Sequence, residues 1–196
     1  MWQVLIEGFF QALVPRDGAL LDLGSGYGEF INQISARRRL AMDLNPDARA
    51  RVDAGVEFLQ QSSTDRWPID DGALDVVFTS NFLEHLPGKE AVAATVEQAF
   101  RCLRPGGRLI CLGPNIRFLA NEYWDFFDHL VPLSDRSLVE CLQAQGYSIE
   151  RVVPRFLPYT MSGRPPPPSA FIRLYLAMPQ TWPVFGKQFL IVARKP

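Results

Sequence analysis

An apolar strand that runs directly into a glycine-rich turn is the feature that most constrains this chain. Residues 19–23 are largely apolar, and Gly24, Gly26 and Gly28 follow at every second position. Glycines in such a turn let the backbone bend sharply and let a ligand approach the main chain. Apolar residues then resume at helical spacing, which predicts a helix over 28–36 whose first N–H groups face that ligand. The sequence therefore predicts a nucleotide-type site at this turn.

The spacing of the glycines separates two kinds of nucleotide site. The dinucleotide fingerprint is G-x-G-x-x-G, and Glu29 occupies the place of its last glycine. Asp43 ends a second short strand, close to the position from which a carboxylate binds ribose hydroxyls in a βαβ unit. We therefore predict that Asp43 binds a ribose. The alternative is that Asp43-Leu-Asn-Pro only forms a turn at the end of the strand.

Three later segments follow this turn in order. They are a loop and strand at 67–78, the segment 79–86 that leaves this strand, and a helix, Pro-Gly-Gly turn and strand at 100–110. With the glycine turn and Asp43, they resemble the class I S-adenosylmethionine-dependent methyltransferases, most clearly over the first 115 residues. The resemblance implies S-adenosyl-L-methionine as the cofactor. It also implies a set of cofactor-binding residues on these loops: Asp22, Gly24, Ser25, Gly26, Gly28, Asp43, Leu44, Ser63, Thr64, Asn81 and Phe82.

One position departs from the pattern of that family. The family often has an acidic residue near the end of the third strand, where it contacts the adenine amino group. Here that position is Ser63, and the nearest carboxylate is Asp65. We expect Ser63, Thr64 and backbone groups to make this contact instead.

Apolar patterning predicts alternating strands and helices, which indicates an α/β fold. We expect a Rossmann-like, doubly wound, seven-stranded sheet that is mostly parallel. By resemblance, an antiparallel last strand lies between the fifth and sixth. A helix is expected over 135–145, with Ser134 as its N-cap and Gly146 as the residue after its C-terminal end. The expected strands are 19–23, 39–43, 56–60, 75–79, 107–112, 147–153 and 188–194, and the expected helices are 3–13, 28–36, 46–51, 89–103, 135–145 and 169–177.

Composition fits a single domain over residues 1–196. The formal net charge is −1, so no global field attracts nucleic acid, and we expect no nucleic-acid partner. The N-terminal stretch lacks a basic leader and carries Glu7, which predicts neither a signal peptide nor a membrane span. The three cysteines are far apart, as is typical of core thiols in a reducing compartment, and this favours the cytoplasm.

The C-terminal segment has a composition of its own. Residues 151–196 hold seven basic residues, no acidic residue and nine of the 16 prolines. We interpret 155–187 as a Pro-rich, basic excursion between the sixth and seventh strands, with Pro165–Pro168 in an extended polyproline conformation. Its apolar residues either cover the sheet edge, or form an acceptor wall or a dimer contact, or touch a membrane surface. Either a monomer or a homodimer is compatible with this sequence.

Two histidines are the candidate catalytic residues. A methyl donor that is already activated leaves the protein to position a nucleophile and, where needed, to remove its proton. His85 follows the fourth strand, and His129 lies beside Asp128 in an aromatic segment that often closes over the acceptor in relatives. Asp128 is expected to raise the pKa of His129, which makes His129 the preferred base, at an acceptor cavity also bounded by Asn81 and Tyr123. No carboxylate spacing completes a metal site, so we expect no metal.

The preferred function is methyl transfer to a small-molecule or glycan-type acceptor, at oxygen. The basic excursion favours an anionic glycan, whereas the aromatic residues are equally compatible with a polyketide-like or quinone-like molecule. Two alternatives stay open at this stage. One is a nicotinamide-dependent oxidoreductase, against which Glu29 argues. The other is an inert binding protein with a methyltransferase-like fold.

Overall fold

The computed structural model describes residues 1–159 and 167–196, and in these ranges the chain forms one seven-stranded sheet. The strand order is β3-β2-β1-β4-β5-β7-β6, parallel from β3 to β5, with β7 antiparallel to both of its neighbours. The predicted fold class is confirmed, including the place of the last strand. The strands are β1 (Ala19–Leu23), β2 (Arg38–Asp43), β3 (Glu57–Gln60), β4 (Leu74–Ser80), β5 (Leu103–Pro114), β6 (Ser148–Leu157) and β7 (Gln188–Arg194).

Helices cover both faces of the sheet. Short 3₁₀ segments lie between the helices and the strands. They are Phe10–Leu13, Pro46–Arg51, Leu83–His85, Tyr123–Asp125 and Pro179–Thr181. No helix in the described ranges combines the length and the apolar character that crossing a membrane requires. The helices are α1 (Trp2–Gly8), α2 (Lys89–Cys102), α3 (Ile116–Leu119), α4 (Asp135–Ala144), α5 (Ser169–Ala177) and α6 (Trp182–Phe185).

Two cores, one on each face, hold the sheet between the helices. On one face, α2 and α4 bury their apolar stripes against the strands. On the other face, Trp2 of α1 and Phe10 of the following 3₁₀ segment pack against Phe78. The rings of Phe30 and Phe78 stack on each other with their centroids 3.8 Å apart. Each fully buried large side chain contributes about 1.5–3 kcal/mol by leaving water.

The helix predicted over 28–36 is wrong, because these residues form successive turns. Phe30 and its apolar neighbours are buried as the pattern requires. Two helical hydrogen bonds remain, from the N–H of Asn32 to the carbonyl of Gly28 and from the N–H of Ile34 to the carbonyl of Phe30, but tertiary contacts take other backbone groups. Arg39 Nη1 donates to the carbonyl of Ile31 at 3.0 Å, and the Asn32 side chain donates to the carbonyl of Arg51 at 2.8 Å. The segment buries the expected face without an α-helix.

Two other helices differ from their predicted form. The first ends at Gly8 and continues as a 3₁₀ segment, and the predicted helix over 46–51 is 3₁₀ throughout. Pro46 opens this second segment, and the Asn45 side chain accepts from the N–H of Asp47 at 3.0 Å.

The C-terminal excursion covers the face of the sheet on which α1 lies. Ile172 of α5 and Trp182 of α6 join that core, and the Trp182 ring packs 4.9 Å from Phe156. The predicted helix at 169–177 is confirmed. The polyproline prediction falls partly on residues 160–166, outside the described residues.

A capping box holds the start of α4, as the sequence predicts. Ser134 Oγ accepts from the N–H of Ser137 at 3.1 Å, and Ser137 Oγ accepts from the N–H of Ser134 at 3.0 Å. Gly146 follows the helix with φ +91°.

We predict that Ser134→Ala lowers the free energy of unfolding by about 1 kcal/mol, because α4 loses the acceptor for one of its first N–H groups. Urea denaturation measures the change. Ser148→Ala, at an exposed position at the start of β6, is the matched control and should leave stability nearly unchanged. Equal stability of the two variants would show that the cap contributes nothing.

Candidate cofactor and acceptor sites

The glycine turn follows the carboxyl end of β1, near the middle of the sheet. Gly24, Gly26 and Gly28 have φ values of +71°, +50° and +72°, a region that L-residues rarely adopt. A Cβ on Gly24 would overlap the Phe82 ring, whereas a Cβ on Gly26 would have no atom within 4 Å. The turn therefore requires glycine for its backbone, and at Gly26 it leaves open space for a ligand.

Asp43, at the end of β2, ties this turn in place. Its Oδ2 accepts from the N–H of Gly26 at 2.8 Å, and its Oδ1 accepts from the N–H of Asn45 at 2.9 Å. Each carboxylate oxygen keeps a further lone pair. Asp43 thus orients the turn and retains acceptor capacity for a ribose. Because the side chain holds the backbone, its removal affects local structure as well as binding.

Asn81 and Phe82 follow β4, the strand on the other side of β1. Asn81 has φ +48°, an uncommon value for a residue with a side chain. Its N–H donates to the carbonyl of Leu112 at 2.9 Å, which ties this loop to β5. Strained backbone of this kind concentrates at functional sites, because the surroundings must hold it.

Asp22, inside β1, is a buried carboxyl close to the turn. Burial raises its pKa to about 8, the backbone of Ile31 opposes this shift, and the charge of Asp43 adds to it. The nearby Ser25 Oγ is also buried and has no hydrogen-bond partner among the described residues. A cationic, polar ligand at the turn fits these two groups.

The residues predicted near the adenine differ in their exposure. Leu44 is 68 % exposed at the end of β2. Ser63 is buried, and its Oγ lies 2.8 Å from Thr95 Oγ1, so its hydroxyl is engaged with α2. Thr64 Oγ1 pairs with Ser62 Oγ at 2.8 Å. The structure therefore leaves Leu44 free for a base and directs the Ser63 hydroxyl into the protein.

His85 and His129 come together, with ring centroids 5.0 Å apart. His129 is buried and packs against Phe126 and Tyr123 at 4.9 Å and 4.7 Å. Burial and the neighbouring His85 lower the pKa of His129 and outweigh Asp128, which raises it as expected. Asp128 also contacts His85: the Nδ1 atom of His85 lies 3.0 Å from the carbonyl oxygen of Asp128.

Glu84 joins this pair from the 3₁₀ segment after β4. Its carboxyl is 2 % exposed, and burial raises its pKa to about 8, opposed by a backbone hydrogen bond and aided by Asp128. The carbonyl of Glu84 accepts from the N–H groups of Leu130 and Val131, which attaches the loop of His129 to β4. This loop brings together residues that are 44 positions apart in the chain.

A cavity of about 430 Å³ opens beyond the carboxyl ends of the parallel strands. Asn81 lies in its wall, whereas His85, Tyr123 and His129 do not line it, and the place of these three residues at an acceptor cavity stays a prediction. Most of the wall comes from the excursion at 155–187, for which an acceptor wall is one of the roles expected from the sequence. Sequence reasoning missed the part that α1 contributes, because α1 and the excursion meet only in the fold. The lining is largely apolar: Trp2, Leu5, Leu112, Leu157, Pro158, Phe171, Ile172, Leu174, Tyr175, Met178, Phe185 and Gln188 among others.

A family model described as "Methyltransferase domain" matches residues 3–152. The chain belongs to this methyltransferase family. The resemblance predicted from the motifs is thereby confirmed, and the family and the names of its relatives indicate S-adenosyl-L-methionine as the cofactor. The turn and Asp43 fit that molecule, whereas the individual contacts of the eleven cofactor residues stay predictions.

Two curated relatives show how far the likeness extends. A Mycolicibacterium smegmatis protein described as a "probable S-adenosylmethionine-dependent methyltransferase" is 30 % identical over 152 residues, or 76 % of this chain and 58 % of that protein. The demethylmenaquinone methyltransferase of Roseiflexus castenholzii is 27 % identical over 157 residues, or 69 % of this chain and 60 % of that protein. The chain thus spans about three fifths of the length of these two relatives.

A solved structure shows the same fold over the whole chain. A SAM-dependent methyltransferase from Archaeoglobus fulgidus superposes with a TM-score of 0.71 at 17 % identity. The match covers 98 % of this chain and 92 % of that one. At this identity the likeness concerns the fold alone.

We predict that Gly26→Ala weakens binding of S-adenosylhomocysteine at least about tenfold, because the new methyl group occupies the open space above the turn. The backbone penalty for a left-handed alanine is about 1–2 kcal/mol. Gly72→Ala is the matched control, since Gly72 has φ +72° and the nearest atom to its added Cβ is Arg104 Cα at 3.8 Å. Calorimetry and thermal melting measure affinity and stability. Unchanged affinity in Gly26→Ala would show that no ligand uses this space.

Proposed function

We propose that this chain transfers a methyl group from S-adenosyl-L-methionine to the oxygen of a small, largely apolar acceptor. The observation that carries the proposal is the position of the apolar cavity. Asn81, directly after β4, lies in the wall of this cavity. Because β4 pairs with β1, and β1 leads into the glycine turn, the cavity and the turn lie at the same edge of the sheet. In open α/β sheets, ligands bind beyond the carboxyl ends of the strands.

The residues at the turn bind and orient the methyl donor. Asp43 accepts hydrogen bonds from the ribose hydroxyls, and the backbone of Gly24 and Gly26 leaves room for close approach. S-adenosylmethionine supplies a methyl group that its sulfonium already activates. The task of the protein is then to place the acceptor in line with that methyl group, since orientation removes much of the entropic barrier.

The chemistry of the cavity wall favours an apolar acceptor over a glycan. A sugar needs many polar partners when it is buried, and this wall offers few besides Asn81, Thr181 and Gln188. The Roseiflexus relative is named for an aromatic, apolar acceptor, demethylmenaquinone. These two observations support an aromatic hydroxy compound as the acceptor class.

The basic residues of the C-terminal excursion support an anionic acceptor less than their number suggests. Arg155 donates to the carbonyls of Val184 and Gly186, and Lys187 pairs with Glu122 at 2.6 Å. Among the described residues, basic side chains are absent from the cavity wall. Arg155 thus joins the two ends of the excursion, and Lys187 ties its last residue to the segment that carries Glu122.

We assign removal of the acceptor proton to the cluster of His85 and His129. Tyr159 follows Pro158 in the cavity wall, and its ring packs against Phe126, which stacks on His129. Two aromatic rings, those of Tyr159 and Phe126, thus connect the cavity wall at Pro158 to His129. Loss of a group that handles this proton typically lowers the rate by about 10²–10⁴-fold.

We predict that Leu174→Glu lowers kcat/KM for methylation of 1-naphthol at least about tenfold. The assay measures the S-adenosylhomocysteine that each methyl transfer releases. A carboxylate in the cavity wall must be desolvated when an apolar acceptor binds. Affinity for S-adenosylhomocysteine should stay unchanged, because Leu174 lies away from the turn. Glucose as acceptor should give no release above the rate without acceptor.

Val184→Glu is the matched control for charge and exposure. Val184 is 64 % exposed and Leu174 is 54 % exposed, but only Leu174 lines the cavity. Equal kinetics in the two variants, or turnover of glucose but not of 1-naphthol by the parent, would refute the proposed acceptor class.

A further inference from the structure

Three potential metal ligands meet where the loop before α4 packs against the end of β4. One carboxylate oxygen of Glu84 and one ring nitrogen each of His85 and His129 lie within 4.8 Å of one another. The fold creates this group, since Glu84 and His85 come from the segment after β4 and His129 from a loop that Glu84 itself holds.

Two of the three side chains are buried and lack partners. Glu84 is 2 % exposed and His129 is 5 % exposed. Among the described residues, Glu84 Oε1 and His129 Nδ1 have no hydrogen-bond partner. Buried polar atoms are nearly always paired, because an unpaired atom loses its hydrogen bonds to water without replacement. Both atoms belong to residues whose potential ligand atoms lie within 4.8 Å of one another, and this combination indicates a bound ligand.

The orientation of His85 fits the same ligand. Its Nδ1 lies 3.0 Å from the carbonyl oxygen of Asp128 and 3.3 Å from Asp128 Oδ2, so this nitrogen carries the proton and donates. The lone pair is then on Nε2, which lies 3.9 Å from Glu84 Oε1. Histidines that bind metals usually donate their other N–H to a carbonyl or a carboxylate in this way.

We propose that Glu84, His85 and His129 bind a divalent transition metal ion, for which Zn²⁺ is the best match. Two histidines and one carboxylate are a donor set of catalytic zinc sites, which keep a fourth position open. Bonds of about 2.0–2.2 Å bring tetrahedral ligand atoms to about 3.3 Å from one another. The three side chains therefore move together by up to about 1.5 Å when the ion binds.

The open position gives the ion a role in methyl transfer, and this part rests on the proposed function. The side chain of His85 is 33 % exposed, which leaves the cluster accessible. With the ion bound, the two histidines are its ligands and do not take the proton themselves. An acceptor hydroxyl bound to the ion then loses its proton to solvent at a lower pH. The oxygen then forms its bond to the methyl carbon as the carbon–sulfur bond breaks, and the sulfonium leaves as a neutral thioether.

This site differs from the sequence expectation of no metal. In the chain, His85 and His129 are 44 residues apart, and the pair Glu84-His85 has no recognisable ligand spacing. The aromatic rings of Phe126 and Tyr123 hold His129 against the other two residues.

Metal binding to the chelator-treated protein tests the inference directly. Titration with Co²⁺ should give the intense visible absorption of tetrahedral cobalt at one equivalent, and Zn²⁺ should displace it. Glu84→Gln, which preserves the shape of the side chain, should weaken Co²⁺ binding at least about tenfold, as should His129→Ala. Cys141→Ser is the control, because Cys141 is a partly exposed thiol that also binds soft metals.

The inference is overturned if the parent protein does not bind one equivalent of Co²⁺. It is also overturned if Glu84→Gln binds Co²⁺ as tightly as the parent. Thermal melting identifies a variant that does not fold. If His129→Ala does not fold, the affinity of Glu84→Gln for Co²⁺ decides the test. Calorimetry with S-adenosylhomocysteine on the same sample keeps the two proposals separate. A protein that binds this nucleoside but not Co²⁺ retains the proposed function and loses the metal site.

Discussion

The contact between Asp43 and the glycine turn is the interaction on which the rest of the cofactor site depends. Asp43 ends β2, and its carboxylate binds the N–H of Gly26 in the turn that follows β1. The carbonyl of Met42 also accepts from the N–H groups of Gly24 and Ser25. The parallel pairing of β1 and β2 brings these groups into register, so the sheet itself fixes the turn. The two backbone N–H groups hold the carboxylate of Asp43 in one orientation.

The two halves of the site have different origins in the chain. The family model ends at residue 152, whereas much of the cavity wall lies between Leu157 and Gln188. Insertion of β7 between β5 and β6 carries this segment back across the sheet, where α5 packs against α1. The shared part of the chain thus forms the cofactor turn, and the C-terminal part determines the chemistry of the proposed acceptor cavity.

Local patterns in the sequence predict much of the fold and the cofactor turn. The strands, the cap at Ser134 and the glycines at positive φ follow from residue type and spacing, because local geometry determines them. The helix over 28–36 is not continuous, because the Arg39 side chain binds the carbonyl of Ile31 and the Gln11 side chain binds the N–H of Ser35, two groups that would otherwise pair with each other. The cluster of Glu84 and His129 depends on how one loop packs against another strand. No local spacing carries that information.

The most direct measurement of the central claim is a calorimetric titration with S-adenosylhomocysteine of the parent protein and of Asp43→Asn. Asparagine keeps one side-chain oxygen, which accepts from one of the two backbone N–H groups, and loses the charge that strengthens hydrogen bonds to the ribose. The account predicts micromolar binding to the parent, roughly −8 kcal/mol, and a loss of at least about tenfold in the variant at similar thermal stability. The absence of binding heat with the parent, or equal affinities of the two proteins, would contradict it.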